Sequence, residues 1–230
     1  MIRSRFMFMM MLVVGQAPSA SAQALSLPAT ARLERYDASV KDEVYRGCAS
    51  LRIEPAMGPG NPTAIGLAVI PGVAFGDGVI ELRVAGEVAQ GADPLARGFV
   101  GLAFHVQPGA KEYEMFYLRP TNGRADDQLR RNHSLQYVSE PDFPWQRLRS
   151  ETPGQYESYA DLVPGVWTSM RIEVEGTKAR LFVNGASQPS LIVNDLKHGL
   201  GAGGIGLWAG PGAIGHFCKS GIVVRSRRSG

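Results

Sequence analysis

The stretch from Trp167 to Gly185, WTSMRIEVEGTKARLFVNG, constrains the fold more than any other part of this chain. Met170, Ile172 and Val174 alternate with Arg171, Glu173 and Glu175, the period of a strand with one buried face. Gly176-Thr177 then supplies the Gly-X pair of a two-residue type II′ hairpin. Counting back from that turn sets Glu175 opposite Lys178, Val174 opposite Ala179, Glu173 opposite Arg180 and Ile172 opposite Leu181. Apolar meets apolar and acid meets base, and a slip of one residue would spoil every pair. Asn184-Gly185 marks the next tight turn.

The same grammar runs through the rest of the chain. EVYRGCASLRIEP alternates as far as Pro55, and MGPGNP (57–62) is a loop by composition. TAIGLAVI is a short apolar strand. In FGDGVIELRVAGEV, Ile80, Leu82 and Val84 face one way and Glu81, Arg83 and Ala85 the other. In GFVGLAFHVQPG, Val100, Leu102, Phe104 and Val106 point inward, with Gly101, Ala103 and His105 opposite. SLQYVS is a further strand. No long apolar period of 3.6 residues occurs after the N-terminus, and DFPWQRLRSE holds one short helical turn. Many strands at even turn spacing predict an all-β protein, a two-sheet antiparallel β-sandwich or jelly roll.

The N-terminus reads as a secretory signal. Arg3 and Arg5 precede an apolar run from Phe6 to Val14 and then small residues, with cleavage after Ala22 or Ala24. The run is well short of the ~20 residues that span a bilayer. Residues 1–24 are thus expected to be a signal peptide and 25–230 a single domain, periplasmic or secreted, with no stable membrane insertion after cleavage. Losing Arg3 and Arg5 takes the formal net charge of +3 to about +1, so the basic balance is no argument for nucleic acid. Cys48 and Cys218 are the two cysteines. In an oxidising compartment they most simply form one disulfide, expected to join the first and last strands. No Cys-x-x-Cys or His/Cys cluster suggests zinc.

YEMFYLRPTNGR, Tyr113 to Arg124, carries bulky groups on both faces of one strand. Glu114, Phe116 and Leu118 share a face with the core residues Leu102 and Phe104. Tyr113, Met115, Tyr117 and Arg119 fall on the other, which is expected to be open and to include Glu81, Arg83, His105 and Gln136.

FGDGVIELRVAG, GFVGLAFHVQ, YEMFYLRPTNGR, HSLQYVSEPDFPWQRLR, PGVWTSMRIEVEGTKARLFVNG and GIGLWAG follow one another in an order that resembles the bacterial concanavalin A-like domains. Within these, the likeness is to the laminin-G-like and 3-keto-disaccharide hydrolase-type group, over most of Phe75 to Val224. The resemblance implies a jelly roll whose concave face meets carbohydrate. The fold also hosts hydrolases, lyases and protein-interaction modules, so it does not decide function. Laminarinase-type relatives carry Glu-x-Asp-x-x-Glu on one strand, and no such run exists here. A 3-keto-glycoside hydrolase or lyase would need a base near an acidic sugar proton and a cation for the enolate.

The candidate site follows from both arguments. Tyr117, Arg119, Gln136, Arg83, Trp145 and Trp208 are candidate ligand-binding residues, since rings stack on sugar C–H faces and planar polar groups fix hydroxyls. His105 and Glu81 are candidate catalytic groups, although a lone strand histidine is more often a hydrogen-bonded structural residue. Arg119, ending its strand before Pro120, is expected either to swing over the sheet and grip a ligand or to brace a loop carboxylate such as Asp142. His133 is expected to cap its turn, and Trp167 to pack. Glu173 and Glu175, with basic partners opposite, form a charge-paired outer face rather than a glycosidase pair. A calcium or other divalent ion is common in the fold, with Asp77 and Asp195 as possible ligands that no spacing compels.

Overall fold

The computed structural model describes residues 22–24, 32–56, 64, 66–199, 201–220 and 222–226. The expected signal segment up to position 21 and the loop at 57–62 lie outside these residues. No helix among the described residues is long and apolar enough to cross a membrane.

Two antiparallel sheets face each other. The nine-stranded sheet runs β13 (Leu191–Val193), β12 (Lys178–Val183), β11 (Thr168–Glu175), β6 (Gly78–Val88), β15 (Ala213–Cys218), β4 (Cys48–Pro55) and β3 (Ala38–Tyr45). β6 also carries β16 (Val223–Ser226), which pairs in turn with β1 (Ala22–Ala24). The seven-stranded sheet runs β10 (Glu157–Ser158), β9 (Leu135–Glu140), β8 (Tyr113–Leu118), β7 (Val100–Val106), β14 (Gly203–Ala209), β5 (Leu67–Phe75) and β2 (Glu34–Tyr36). Two short helices interrupt the strands, α1 (Gln128–Asn132) and α2 (Trp145–Glu151). This is the two-sheet sandwich that the alternation predicted.

The core lies where the apolar phases of both sheets meet. Val100, Leu102, Phe104, Phe116 and Leu118 from one sheet and Ile80, Leu82, Val84, Ile172 and Phe217 from the other are buried. Burying each such side chain contributes about 1.5–3 kcal/mol. The β11–β12 hairpin has the expected register throughout, including Glu173 opposite Arg180 and Val174 opposite Ala179. Gly176 sits at φ 57°, a backbone conformation that β-branched residues resist.

Three expectations need correction. EVYRGCASLRIEP is not one strand. It turns at Arg46-Gly47, with φ of 42° and 77°, and folds back so that Tyr45 faces Cys48. Arginine is an unusual first residue for a turn that needs positive φ, so composition did not mark it. The disulfide does form between Cys48 and Cys218, with Cα atoms 5.8 Å apart. It links the neighbouring strands β4 and β15, not the first and last. DFPWQRLRSE contains a seven-residue helix, Trp145–Glu151, longer than one turn and with its Leu148 buried.

Candidate functional site

One cross-strand row on the outer face of the seven-stranded sheet organises the site. Reading across the register, Trp208 on β14 stands opposite Gly101 on β7. Gly101 faces Tyr117 on β8, Tyr117 faces Gln136 on β9, and Gln136 faces Glu157 on β10. Neighbouring strands lie ~4.8 Å apart, so five residues distant in sequence become one line of side chains. Gly101 is what lets the two large rings meet. A Cβ there would stand 2.6 Å from that of Tyr117, and without it the Tyr117 and Trp208 centroids approach to 5.0 Å. Phe99 closes the aromatic group, 6.1 Å from Tyr117 and 6.4 Å from Trp208.

Arg119 enters this row from the end of β8. Its Nη2 donates to Tyr117 Oη at 2.8 Å and to Gln136 Oε1 at 3.0 Å. Its Nη1 donates to the His133 carbonyl at 3.0 Å and to Glu157 Oε1 at 3.2 Å. Gln136 Nε2 in turn donates to the carbonyls of Tyr137 and Tyr156. The polar groups of Tyr117, Gln136 and Glu157 are thus held by their neighbours. Helix α2 adds the outer layer. Trp145 and Arg149 are four residues apart and share a helix face, and Arg149 lies 4.5 Å over the Trp145 ring. Arg149 also grips Glu157, through Nε at 2.9 Å and a second, shorter contact from Nη2. Arg119 lies 5.7 Å from the same Trp145 ring. His133 does cap α1, and its ring reaches Glu157 at 3.4 Å.

The electrostatics follow from this crowding. Burial pushes the Glu157 carboxyl up, but the Arg149 hydrogen bond and the charges of Arg149, Arg119 and His133 outweigh it and hold the group below the usual carboxylate range. Burial lowers the His133 imidazole despite the nearby Glu157 charge. Burial pushes the Tyr117 phenol up to about 12 against the pull of Arg119, so it stays neutral while accepting from Arg119.

Five of the expected ligand residues are therefore brought together: Tyr117, Arg119, Gln136, Trp145 and Trp208. The face is not open as expected. The side chains of Arg119 and Glu157 are only 6% and 3% exposed, and Tyr117 and Gln136 are buried as well. Arg119 cannot swing over the sheet with four hydrogen bonds in place. It braces Glu157 rather than Asp142. Trp145, at 36% exposure, and the half-buried Trp208, Arg149 and Phe99 form the accessible rim.

The remaining candidates lie elsewhere. Glu81 and Arg83 belong to the outer face of the nine-stranded sheet, because β6 is in that sheet and Ile80, Leu82 and Val84 take its inner phase. Glu81 pairs with Arg225 at 3.3 Å. Arg83 lies over Trp167 at 5.8 Å and donates to Cys218 Sγ at 2.9 Å. His105 is at the end of β7, left-handed at φ 53°, with its ring against Phe75 and Phe104. Alternation cannot tell which sheet a strand joins, hence the misplacement of Glu81 and Arg83. His105 and Glu81 cannot act as a pair from different sheets. Asp77 accepts the Gly176 N–H at 2.9 Å, and Asp195 binds Tyr156 and Lys197, each at 2.7 Å. Among the described residues no three His, Cys, Asp or Glu side chains converge as metal ligands.

Sequence reasoning missed Glu157, Arg149 and Phe99. Only Arg149 had a local signal, its i,i+4 spacing from Trp145. A further alignment, Ser139–His198–Asp142, places hydroxyl, imidazole and carboxylate in the order of a hydrolase triad. Ser139 is completely buried on the inner phase of β9, so its hydroxyl has no path to a substrate.

No family model and no curated protein matches the chain. Solved structures do match. The carbohydrate-binding module CBM66 from Bacillus subtilis is 12% identical over 84% of this chain and 95% of its own, with a TM-score of 0.53. A protein of unknown function with a galectin-like fold, also from Bacillus subtilis, is 12% identical over 88% and 95%, with a TM-score of 0.53. A native glycosidic hydrolase is 12% identical over 91% and 96%, again at 0.53. At such identities the likeness is one of fold: this chain has the jelly-roll sandwich shared by galectin-like and concanavalin A-like proteins.

Proposed function

We propose that this protein is an exported carbohydrate-binding sandwich, and that a glycan or sugar derivative meets the outer face of the seven-stranded sheet at the Trp145–Trp208 rim. The observation that carries the reading is the row itself. An aromatic group of Trp208, Tyr117 and Phe99, with Trp145 above, stands beside polar groups already fixed by one another. Sugar sites combine rings for C–H faces with planar groups that need no reorganisation. The ligand reaches Trp145, Trp208 and the outer edge of Arg149. Arg119, Gln136 and Glu157 are positioning residues beneath them. The disulfide favours an oxidising compartment, and the solved sandwiches of similar fold include a carbohydrate-binding module and a glycosidic hydrolase.

The test is a glycan array run beside a 3-keto-disaccharide turnover assay, with and without chelator. Binding without product is expected. Trp145→Ala should weaken the best glycan at least tenfold, about 1.4 kcal/mol, with an unchanged melting temperature. Turnover would favour the rival hydrolase or lyase reading, which must then use groups other than a His105–Glu81 pair. Capture of a protein with no glycan bound would favour an interaction module.

A further inference from the structure

Basic side chains gather at one end of the aromatic rim. Arg97 precedes β7, and its carbonyl accepts the Thr121 N–H at 3.3 Å, so it lies beside the chain leaving β8. Arg130 on α1 donates from Nη2 to Thr121 Oγ1 at 3.4 Å and from Nε to Asn122 Oδ1 at 3.0 Å. Asn122 and Arg119 both donate to the His133 carbonyl, at 3.2 and 3.0 Å. Arg119 and Arg149 meet at Glu157. The guanidiniums of Arg130, Arg119 and Arg149 are thus joined through one set of contacts, with Arg97 at its edge. Four residues separate Arg97 from Gly101, so the group begins within ~14 Å of the Tyr117–Trp208 pair.

The charges at this end are not matched. Glu157 serves Arg119, Arg149 and His133 together. Among the described residues Arg97 and Arg130 pair with no carboxylate. Arg97 donates to the carbonyls of Pro94 and Ala96, at 2.7 and 2.9 Å, and Arg130 to the hydroxyl and amide oxygens of Thr121 and Asn122. Asp93, Asp126 and Asp127 stand exposed at the outer edge, where solvent screens them. Asp93 and Asp127 accept from the backbone N–H groups of Leu95 and Arg130. Burial, and after it the charges of Arg130 and Arg119, holds the Arg97 guanidinium below its usual range against the pull of Asp93. Neighbouring cations with neutral partners repel each other, and an anion laid across them removes the repulsion. The group is also within reach of a ligand: Arg97 and Arg130 are half-buried, and the Arg149 side chain, under Trp145, is 32% exposed.

We propose that the glycan bound at the Trp145–Trp208 rim is acidic, and that its carboxylate or sulfate group is held by Arg97 and Arg130, with Arg149 contributing from the helix side. The inference rests on the carbohydrate-binding reading: the rings select a sugar, and the guanidiniums select its charge. Arginine suits the task because its planar fork gives an oxyanion two parallel hydrogen bonds.

The test is calorimetry on the whole protein with two matched pairs, oligogalacturonate against its methyl ester and dextran sulfate against dextran. At least one acid should bind about tenfold or more tightly than its neutral counterpart at low salt, and that margin should shrink as salt rises. The pair that shows it tells carboxylate from sulfate. Arg97→Gln should remove most of the margin and keep or raise the melting temperature, since it takes away like charge. Arg130→Lys, which keeps the charge without the fork, should retain part of it. Equal affinities within both pairs would overturn the inference and leave the rim reading standing. So would an Arg97→Gln protein that folds and keeps the full margin. Duplex DNA bound as tightly as the better acid would assign the cluster to nucleic acid instead. Binding of none of the four sugars would also overturn the inference, and the glycan array with Trp145→Ala would then decide the rim reading separately.

Discussion

The outer faces of the two sheets carry the same kinds of residue and put them to different uses. On the nine-stranded sheet, Arg171 pairs with Glu173, Glu81 with Arg225 and Arg52 with Glu54, all with side chains around a third exposed. On the seven-stranded sheet, Arg119 and Glu157 make the same pairing almost wholly buried. Alternation places all of these side chains away from the core. It carries no information on whether something lies over them. What separates the two faces is the connection from β9 through α2 to β10, which brings Trp145, Arg149 and Glu157 onto one sheet and has no counterpart on the other among the described residues.

The largest test of that contrast is to remove one acid from each face. Glu157→Ala strands Arg119 in a buried site and also deprives Arg149 and His133 of their partner. Breaking a buried pair from one side costs about 3–5 kcal/mol. Glu173→Ala, on the solvated face, should cost no more than about 1 kcal/mol. Urea unfolding of the two variants measures the difference, and equal losses would break the comparison.

Next in size is the disulfide, which belongs to the nine-stranded sheet. It closes a sequence separation of 170 residues, and a Cys48→Ser, Cys218→Ser variant should lose about 2–4 kcal/mol. Because the bridge joins β4 to β15, far from the Trp145–Trp208 row in topology, glycan affinity of the folded fraction should not change. A parallel loss of affinity would mean that the two faces are not separable.

How much of this was legible in the sequence depends on how local each relation is. The β11–β12 register could be counted from Gly176-Thr177 because turn and pairs lie within one short stretch. The inner phases of β6, β7 and β8 were equally plain, since period 2 needs only neighbours. The meeting of Tyr117 with Gln136 was visible once β8 and β9 were taken as adjacent. Glu157 was not, for it sits on a two-residue strand after a long connection, with no pattern of its own. Glu81 and Arg83 were assigned to the wrong sheet for the same reason: phase is local, and sheet membership is not. Gly101 showed only as a small residue in an apolar strand, whereas its use depends on Tyr117 and Trp208 arriving from either side.

Two glycines sharpen the point with a smaller effect. Gly176 has open space around its Cβ position but a positive φ, while Gly101 is extended and hemmed in by Tyr117. Gly176→Val should destabilise by about 1 kcal/mol or more, and Gly176→Asn, whose side chain tolerates the left-handed region, by much less. Gly101→Ala should be costly in either case, because the obstacle is steric, and it should change the near-ultraviolet signal of Tyr117 and Trp208. If asparagine at 176 were as harmful as valine, the turn would be limited by space rather than by backbone angle.

The smallest expected effect is on pH dependence, and its sign differs within the seven-stranded sheet. Glu157 has a depressed pKa in the fold, so its contribution is present above the unfolded value of about 4.3 and is lost as pH falls through the folded value. His133 is also depressed, so its contribution begins to fade below the unfolded value of about 6.5. Glu140, at the other end of β9, goes the opposite way. Burial raises its pKa against the pull of His198, so its contribution is complete below about 4.3 and is lost as pH rises through the folded value. On acidification from neutrality, the changes at His133 and at Glu140 therefore have opposite signs, and the fall due to Glu157 begins only below about pH 4.3. Unfolding free energies measured from pH 7 to pH 3 should show this as a shallow region followed by a steeper decline. Glu140→Gln should remove the offset and steepen the loss above pH 4.3, while Glu157→Gln should flatten the decline below it. A Glu157→Gln protein that lost stability below pH 4.3 as steeply as wild type would show that the buried carboxylate is not what ties this face together.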